Sequence, residues 1–199
     1  MTAIENIRNL RSDARRNREA VLAAARELFA KQGLEAQMPD VAKAANVGVG
    51  TVYRHFPSKD ELVTALVVAH FEALADKARE CLAMEDPWDG ISEFIRTSAH
   101  TQAQDRCLCD VTSDRAEMVA GVAIAVGMPE LVDQLVKRAQ RAGKLRRDLT
   151  WEDIPTIICG LGTTTQQLAG PGIGRWPRLV EIIIDGLRAP GSSKLPPPL

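Results

Sequence analysis

Residues 47–63 read VGVGTVYRHFPSKDELV. Two glycines, the aromatic and basic run Tyr53-Arg54-His55 and a Pro-Ser break fall within a few helical turns. A core helix has no use for the basic pair, and a surface helix gains nothing from glycines, which weaken it. The combination suits a segment that something outside the protein reads at close range, because a backbone without Cβ atoms lets a partner approach.

Upstream, Val21, Leu22, Ala25, Leu28 and Phe29 return every three or four positions and predict a helix over 17–32, with Arg18, Arg26 and Lys31 opposite. Gly33 suits a left-handed stop that folds Leu34 back on Phe29. A short helix follows over about 39–45, with proline tolerated in its first turn and Asn46 as the next left-handed stop. Gly48 to Gly50 lead into a third helix over about 51–56 that Pro57 closes. Ser58 to Glu61 form a capping box for a fourth, whose stripe Leu62, Leu66, Phe71, Leu74 and Ala78 runs to about Cys81.

Short helices with a tight turn between the second and third have the plan of a helix-turn-helix, whose third helix enters the DNA major groove. On this plan Thr51 and Tyr53 offer hydroxyls to phosphates, and Gly50 permits close approach. Val49, Arg54 and His55 read base edges, the valine against a thymine methyl. Lys59 adds charge at the start of the fourth helix, and Arg15 and Arg16 belong to a basic N-terminal arm. That arm sets Arg8, Arg11, Arg15, Arg16 and Arg18 against the single acid Asp13. Since the whole chain of 199 residues carries a net charge of only −1, an anionic partner must meet such a local patch.

Downstream, the apolar period restarts over about 88–104 after Asp86-Pro87-Trp88, continues over 108–125 with Gly121 inside it, and runs from Pro129 to Gly143. Thr150 to Asp153 can cap a helix to about Leu168, residues 170–174 are a loop, a last helix spans about 177–188, and a proline-rich tail from Pro190 is expected to be disordered. The reading is an all-α chain of about nine helices. Cysteines 81, 107, 109 and 159 form no paired framework and point to reduced thiols. No run approaches the roughly 18 apolar residues of a membrane helix, so a cytoplasmic protein without a membrane partner is expected.

The stretch LFAKQGLEAQMPDVAKAANVGVGTVYRHFPSKDELV, residues 28–63, resembles the TetR family of bacterial one-component transcriptional regulators: caps, turn, Thr-x-Tyr and Phe-Pro-Ser-Lys stand in the family's order and spacing. The VGVGTxYRHFP turn and AGKLRRDLTWEDIPTIICGLG at 142–162 are similar to an actinobacterial-type subgroup. Many family members carry serine where this chain has Gly48 and a polar residue where it has Val49, which bears on the DNA sequence read rather than on DNA binding.

The resemblance implies a DNA-binding domain over 1–61, a ligand-binding and dimerisation domain over 62–189 and a tail over 190–199. It implies a homodimeric repressor on a palindromic operator, released by a small-molecule inducer, with the fourth helix joining the two parts. The last two helices would form the dimer bundle. Their apolar stripes independently offer Ile157, Gly160, Leu161, Thr164 and Leu168, then Leu179, Ile182, Ile183, Gly186 and Leu187. Inward-facing candidates for the inducer pocket are His70, Phe94, His100, Met118, Met128 and Gln166.

Two alternatives stand beside this reading. One is a ligand-responsive interaction module of the same fold that has lost operator recognition. The other is a metal or thiol sensor built on His100, Asp105, Cys107, Cys109 and Asp110, although Cys-x-Cys on a helix points to two faces and the spacing is no standard zinc pattern. Glycine-rich phosphate loops, a nucleophile elbow and His-Glu-x-x-His are all missing from the sequence, so no enzyme, cofactor or bound metal is expected.

Overall fold

The computed structural model describes residues 3–167, 176–191 and 193–196; side chains are described from Arg15 onward, except Arg106, Cys109 and those of 162–176. Among these residues there are ten α-helices and one 3-10 turn, without strands. The helices are α1 (Ala3–Gln32), α2 (Met38–Ala44), α3 (Val49–His55), α4 (Lys59–Ala83), α5 (Pro87–Gln104), α6 (Arg106–Asp114), α7 (Ala116–Ala125), α8 (Met128–Arg141), α9 (Asp153–Gln167) and α10 (Trp176–Gly186).

The local signals act as the chain chemistry requires. Gly33 and Asn46 both adopt positive φ, 61° and 53°, turning the chain out of α1 and α2. The hydroxyl of Ser58 accepts from the backbone N–H of Glu61 at 3.1 Å, and Asp86 accepts from that of Trp88 at 2.7 Å, capping α4 and α5. Ahead of α9 the aspartate reaches back: Asp153 accepts from the N–H of Thr150 at 2.7 Å and from its hydroxyl at 3.1 Å.

Two cores result. The head core joins Val21, Ala25 and Phe29 of α1 to Val41, Val52, Phe56 and the first turns of α4. The body core is filled from α5, α8, α9 and α10 around the second half of α4, with Ile91, Phe94, Ile95 and Leu135 fully buried. At one crossing α4 and α5 touch backbone to backbone: a Cβ on Gly90 would stand 2.5 Å from the carbonyl oxygen of Cys81, so only glycine fits.

Several expectations are corrected. The basic N-terminal arm is helical backbone, because α1 runs unbroken from Ala3. The single helix expected over 108–125 is two: Asp105 caps the first by accepting from Leu108 N–H at 3.0 Å, and the chain leaves helical geometry at Arg115 (φ −135°, ψ 42°) rather than at Gly121. Beyond Pro190 the described residues make bonds to the body. Buried Arg146 makes a bidentate pair with Asp148 (2.7 and 3.0 Å) and donates to the carbonyl of Ser193 at 2.6 Å, while Asp148 accepts from Leu195 N–H at 2.8 Å. Those bonds hold the Asp148 carboxyl well below its usual pKa range.

Candidate nucleic-acid interface and internal cavity

Helix α3 is short and two-faced. Val52 is its buried anchor in the head core. Successive residues turn by about 100°, so Gly50, Tyr53 and Arg54 lie well around the helix from Val52 with Val49 at the margin of their face, and all four are exposed. Val49 is 42% and Tyr53 45% accessible, an unusual outlay of large apolar surface on so small a helix. A Cβ on Gly50 would meet nothing within 4 Å, and one on Gly48 only the Thr51 hydroxyl at 3.9 Å. Both have ordinary negative φ, so neither packing nor backbone geometry demands glycine at these positions.

Of the other expected DNA contacts, Thr51 is half-buried on the flank of this face. His55 is withdrawn from it: Nε2 is buried and has no hydrogen-bond partner among the described residues, and burial, followed by Arg54 and Arg18, lowers its pKa. Lys59 donates to the carbonyl of Leu34 and lies 5.8 Å from the Phe29 ring centre, so its ammonium holds the head together from within. Arg15 and Arg16 are exposed on α1, Arg15 3.6 Å from Glu19. Arg18, which the sequence left in the general basic run, stacks over Phe56 at 5.0 Å and fixes α1 against the end of α3.

A cavity of about 340 Å³ lies in the body between α4, α5, α7 and α9. Of the six expected pocket residues, His70, Phe94 and Met128 line it. His100 is exposed, Met118 packs against the head core, and the Gln166 side chain lies outside those described. Polar lining that the sequence did not reveal comes from Ser98, Gln102 and Thr112, with Trp151 on the apolar side. These residues are far apart in sequence and meet because α6 and α9 pack against α5 and against each other. Burial, and secondarily Arg26, pushes the His70 pKa down to about 4.

The described members of the 100–110 cluster disperse, and the Cys109 side chain lies outside those described. Cys107 fills the head core, Asp105 caps α6, and Asp110 accepts from Leu34 N–H at 3.0 Å. Burial, then Asp105 and Asp110, push the Cys107 thiol up to about 12, away from the thiolate that sensing chemistry needs. Among the described residues no three metal-ligating side chains converge.

The expected dimer face divides in two. Leu179 and Ile182 are exposed at 37% and 56%, with Gly160 and Gly186 exposed and Ile157 and Ile183 half-buried. Leu161 and Leu187 are instead buried in the body's own core, where their apolar area is already withdrawn from water. The Thr164 side chain and Leu168 lie outside what is described.

A head with this turn-helix geometry on an all-helical body defines a helix-turn-helix transcription regulator. The family of bacterial regulatory proteins named tetR matches residues 21–66, and the C-terminal domain of SbtR-like transcriptional regulators matches residues 86–189. The chain belongs to the TetR family. It is 33% identical over 147 residues to the HTH-type transcriptional repressor KstR of Mycolicibacterium smegmatis, covering 70% of this chain and 71% of that one. To the HTH-type transcriptional regulator UidR of Escherichia coli K12 it is 28% identical over 155 residues, covering 71% and 75%. The crystal structure of a TetR transcription regulatory protein from Mycobacterium vanbaalenii superposes with a TM-score of 0.66 at 35% identity, covering 90% of this chain and 99% of that one. The chain is thus a regulator and not an enzyme, and no single described helix is long and apolar enough to cross a membrane.

Proposed function

We propose that the protein is a repressor that binds a palindromic operator as a homodimer through α3 and is released when a small molecule enters the cavity of the body. Gly50 carries the DNA-reading half of this proposal. Glycine inside a helix costs roughly 0.5–1 kcal/mol relative to alanine, and the protein itself has room for a Cβ there. The remaining reason for it is an external surface pressed against the backbone. Val49 and Arg54 read bases, while Tyr53, Thr51 and the arginines of α1 hold phosphates. The Val-Gly-Val-Gly turn carries the base preference of its subgroup.

The exposed Leu179, Ile182, Gly186 and Gly160 form the dimer face, and the boundaries near residues 61 and 189 separate head, body and tail. Helix α6 supports the link between cavity and head. Thr112 lines the cavity, while Cys107 and Val111 of the same helix complete the head core. Asp110 holds Leu34 and, just past α6, Arg115 pairs with Asp60 at 2.8 Å. A guest that displaces α6 therefore strains the head, and binding the DNA-free arrangement better is all the energetics require.

The test is selection of bound genomic fragments, then fluorescence anisotropy on the selected site at two salt concentrations. One palindromic site is expected, with affinity falling steeply as salt rises. Gly50→Ala should stabilise the free protein by about 0.5–1 kcal/mol while weakening that complex at least tenfold. Unchanged DNA affinity in Gly50→Ala would remove the close-approach argument, and no enriched site would favour the interaction-module alternative.

A further inference from the structure

We infer that the body cavity takes an uncharged, largely apolar molecule of about a dozen heavy atoms that carries a hydrogen-bond donor, and that it rejects anions. The inference rests on the reading of that cavity as the effector site. Size follows from volume: a cavity of about 150 Å³ lined by apolar side chains holds benzene, so about 340 Å³ holds roughly twice as many atoms. Its walls are mainly apolar and partly aromatic, with Phe71, Phe94 and Trp151 placed to meet a ring.

Charge is settled by what the lining lacks. Among the described residues that line this cavity there is no arginine, lysine, aspartate or glutamate. A carboxylate inside would lose its hydration with no cation to replace it, and it would ionise there only at a heavy cost. The one titratable ring is His70, which burial and the nearby Arg26 hold neutral at pH 7. The smaller neighbouring cavity, about 220 Å³, is where Arg26, Lys77 and Asp105 lie. Those charges face that space, and Lys77 is already within 3.4 Å of Glu93.

The preference for a donor comes from the hydroxyls. Ser98 donates its proton to the carbonyl of Phe94 at 2.7 Å, and Thr112 donates to that of Leu108 at 2.6 Å. Each of these two hydroxyls keeps only lone pairs for a guest, while the Gln102 amide on the same wall carries donors as well as an acceptor. An alcohol, phenol or amide N–H satisfies the hydroxyl lone pairs, whereas a ketone or ether brings a second acceptor to the same atoms.

The experiment titrates 2-naphthamide and 2-naphthoate, a matched pair of roughly thirteen heavy atoms each, into the full-length protein by isothermal titration calorimetry at pH 7.5. The amide is expected to bind at least about tenfold more tightly than the carboxylate, and Ala123→Phe, which fills the cavity wall, is expected to abolish its binding. If that variant fails to unfold cooperatively, Ala120→Phe on the same wall replaces it. Equal affinities, tighter carboxylate binding, no amide binding, or amide binding that survives the filled cavity would each overturn the inference. A parallel anisotropy titration on operator DNA separates the two ideas: amide binding without DNA release sustains the chemistry assigned to the cavity and overturns the inducer role.

Discussion

The head and the body solve opposite problems with the same helical vocabulary. The head encloses Phe29 and Val52 fully and sets Val49 and Tyr53 in solvent, with the smaller cavity of about 220 Å³ at its border with the body, beside Phe29, Leu66 and Cys107. The body leaves a space of about 340 Å³ inside and exposes large apolar side chains at Met84, Ile124, Leu179 and Ile182. A tightly filled core presents a rigid outer face, which suits contact with a partner of fixed shape. A core with a hole accepts a guest and yields to it.

The contrast breaks most visibly if Phe29 is not the keystone of the head. Phe29→Ala is expected to cost about 3–5 kcal/mol in urea unfolding, and a loss below about 1 kcal/mol would show that the head collapses to fill the gap. The two histidines sharpen the comparison next. Both have lowered pKa values, but His70 is taken to about 4, below the value near 6.5 of an unfolded chain. As pH falls through 6.5 the unfolded chain takes up the proton first, so this contribution is complete above pH 7 and is lost between 6.5 and 4. Up to about 3 kcal/mol is at stake, and His70→Gln should flatten the slope of stability against pH in that window.

Packing supplies a smaller effect. Ala42→Leu, in the enclosed head core, should destabilise by about 1–3 kcal/mol, whereas Ala123→Leu, on the cavity wall, should be neutral or stabilising by about 1 kcal/mol. Equal losses in thermal melts would mean that the cavity wall cannot accommodate the added atoms. Smallest is the hydroxyl of the reading face. Tyr53→Phe should weaken DNA binding by about 1 kcal/mol, equally on operator and unrelated sequence, since phosphate contacts carry no base information. A changed base preference in a binding-site selection would reassign Tyr53 as a reader.

The head was legible in the sequence because each of its devices is local. Gly33, Asn46 and Ser58 act on neighbours within four residues, and each does what its chemistry predicts. The loss there concerned direction: a seven-residue helix has two faces, and only the packing of Val52 shows that His55 belongs to the inner one. Lys59 was read as exposed charge because its acceptor, the Leu34 carbonyl, lies 25 positions away. The body's helices were visible by period, but its cavity was not. Ser98, Thr112 and Trp151 converge through crossings that no window of sequence contains. The break at Arg115 lacked a glycine or proline to mark it, and the ion pair with Asp60 that accompanies it is a tertiary event.

The contact between Gly90 and the Cys81 carbonyl has a mechanical consequence. It pins the far end of α4 to the body and makes that point a fulcrum, while Lys59 at the other end of the same helix carries the head. The arm between them is about 33 Å long at 1.5 Å per residue, so a swing of only about 5° displaces the head by about 3 Å. In a symmetric pair the two displacements add, against a groove repeat of about 34 Å that tolerates little error. In the proposed homodimer, an angular change too small to disturb the packing of the body would thus be magnified by length alone into a misfit at the DNA.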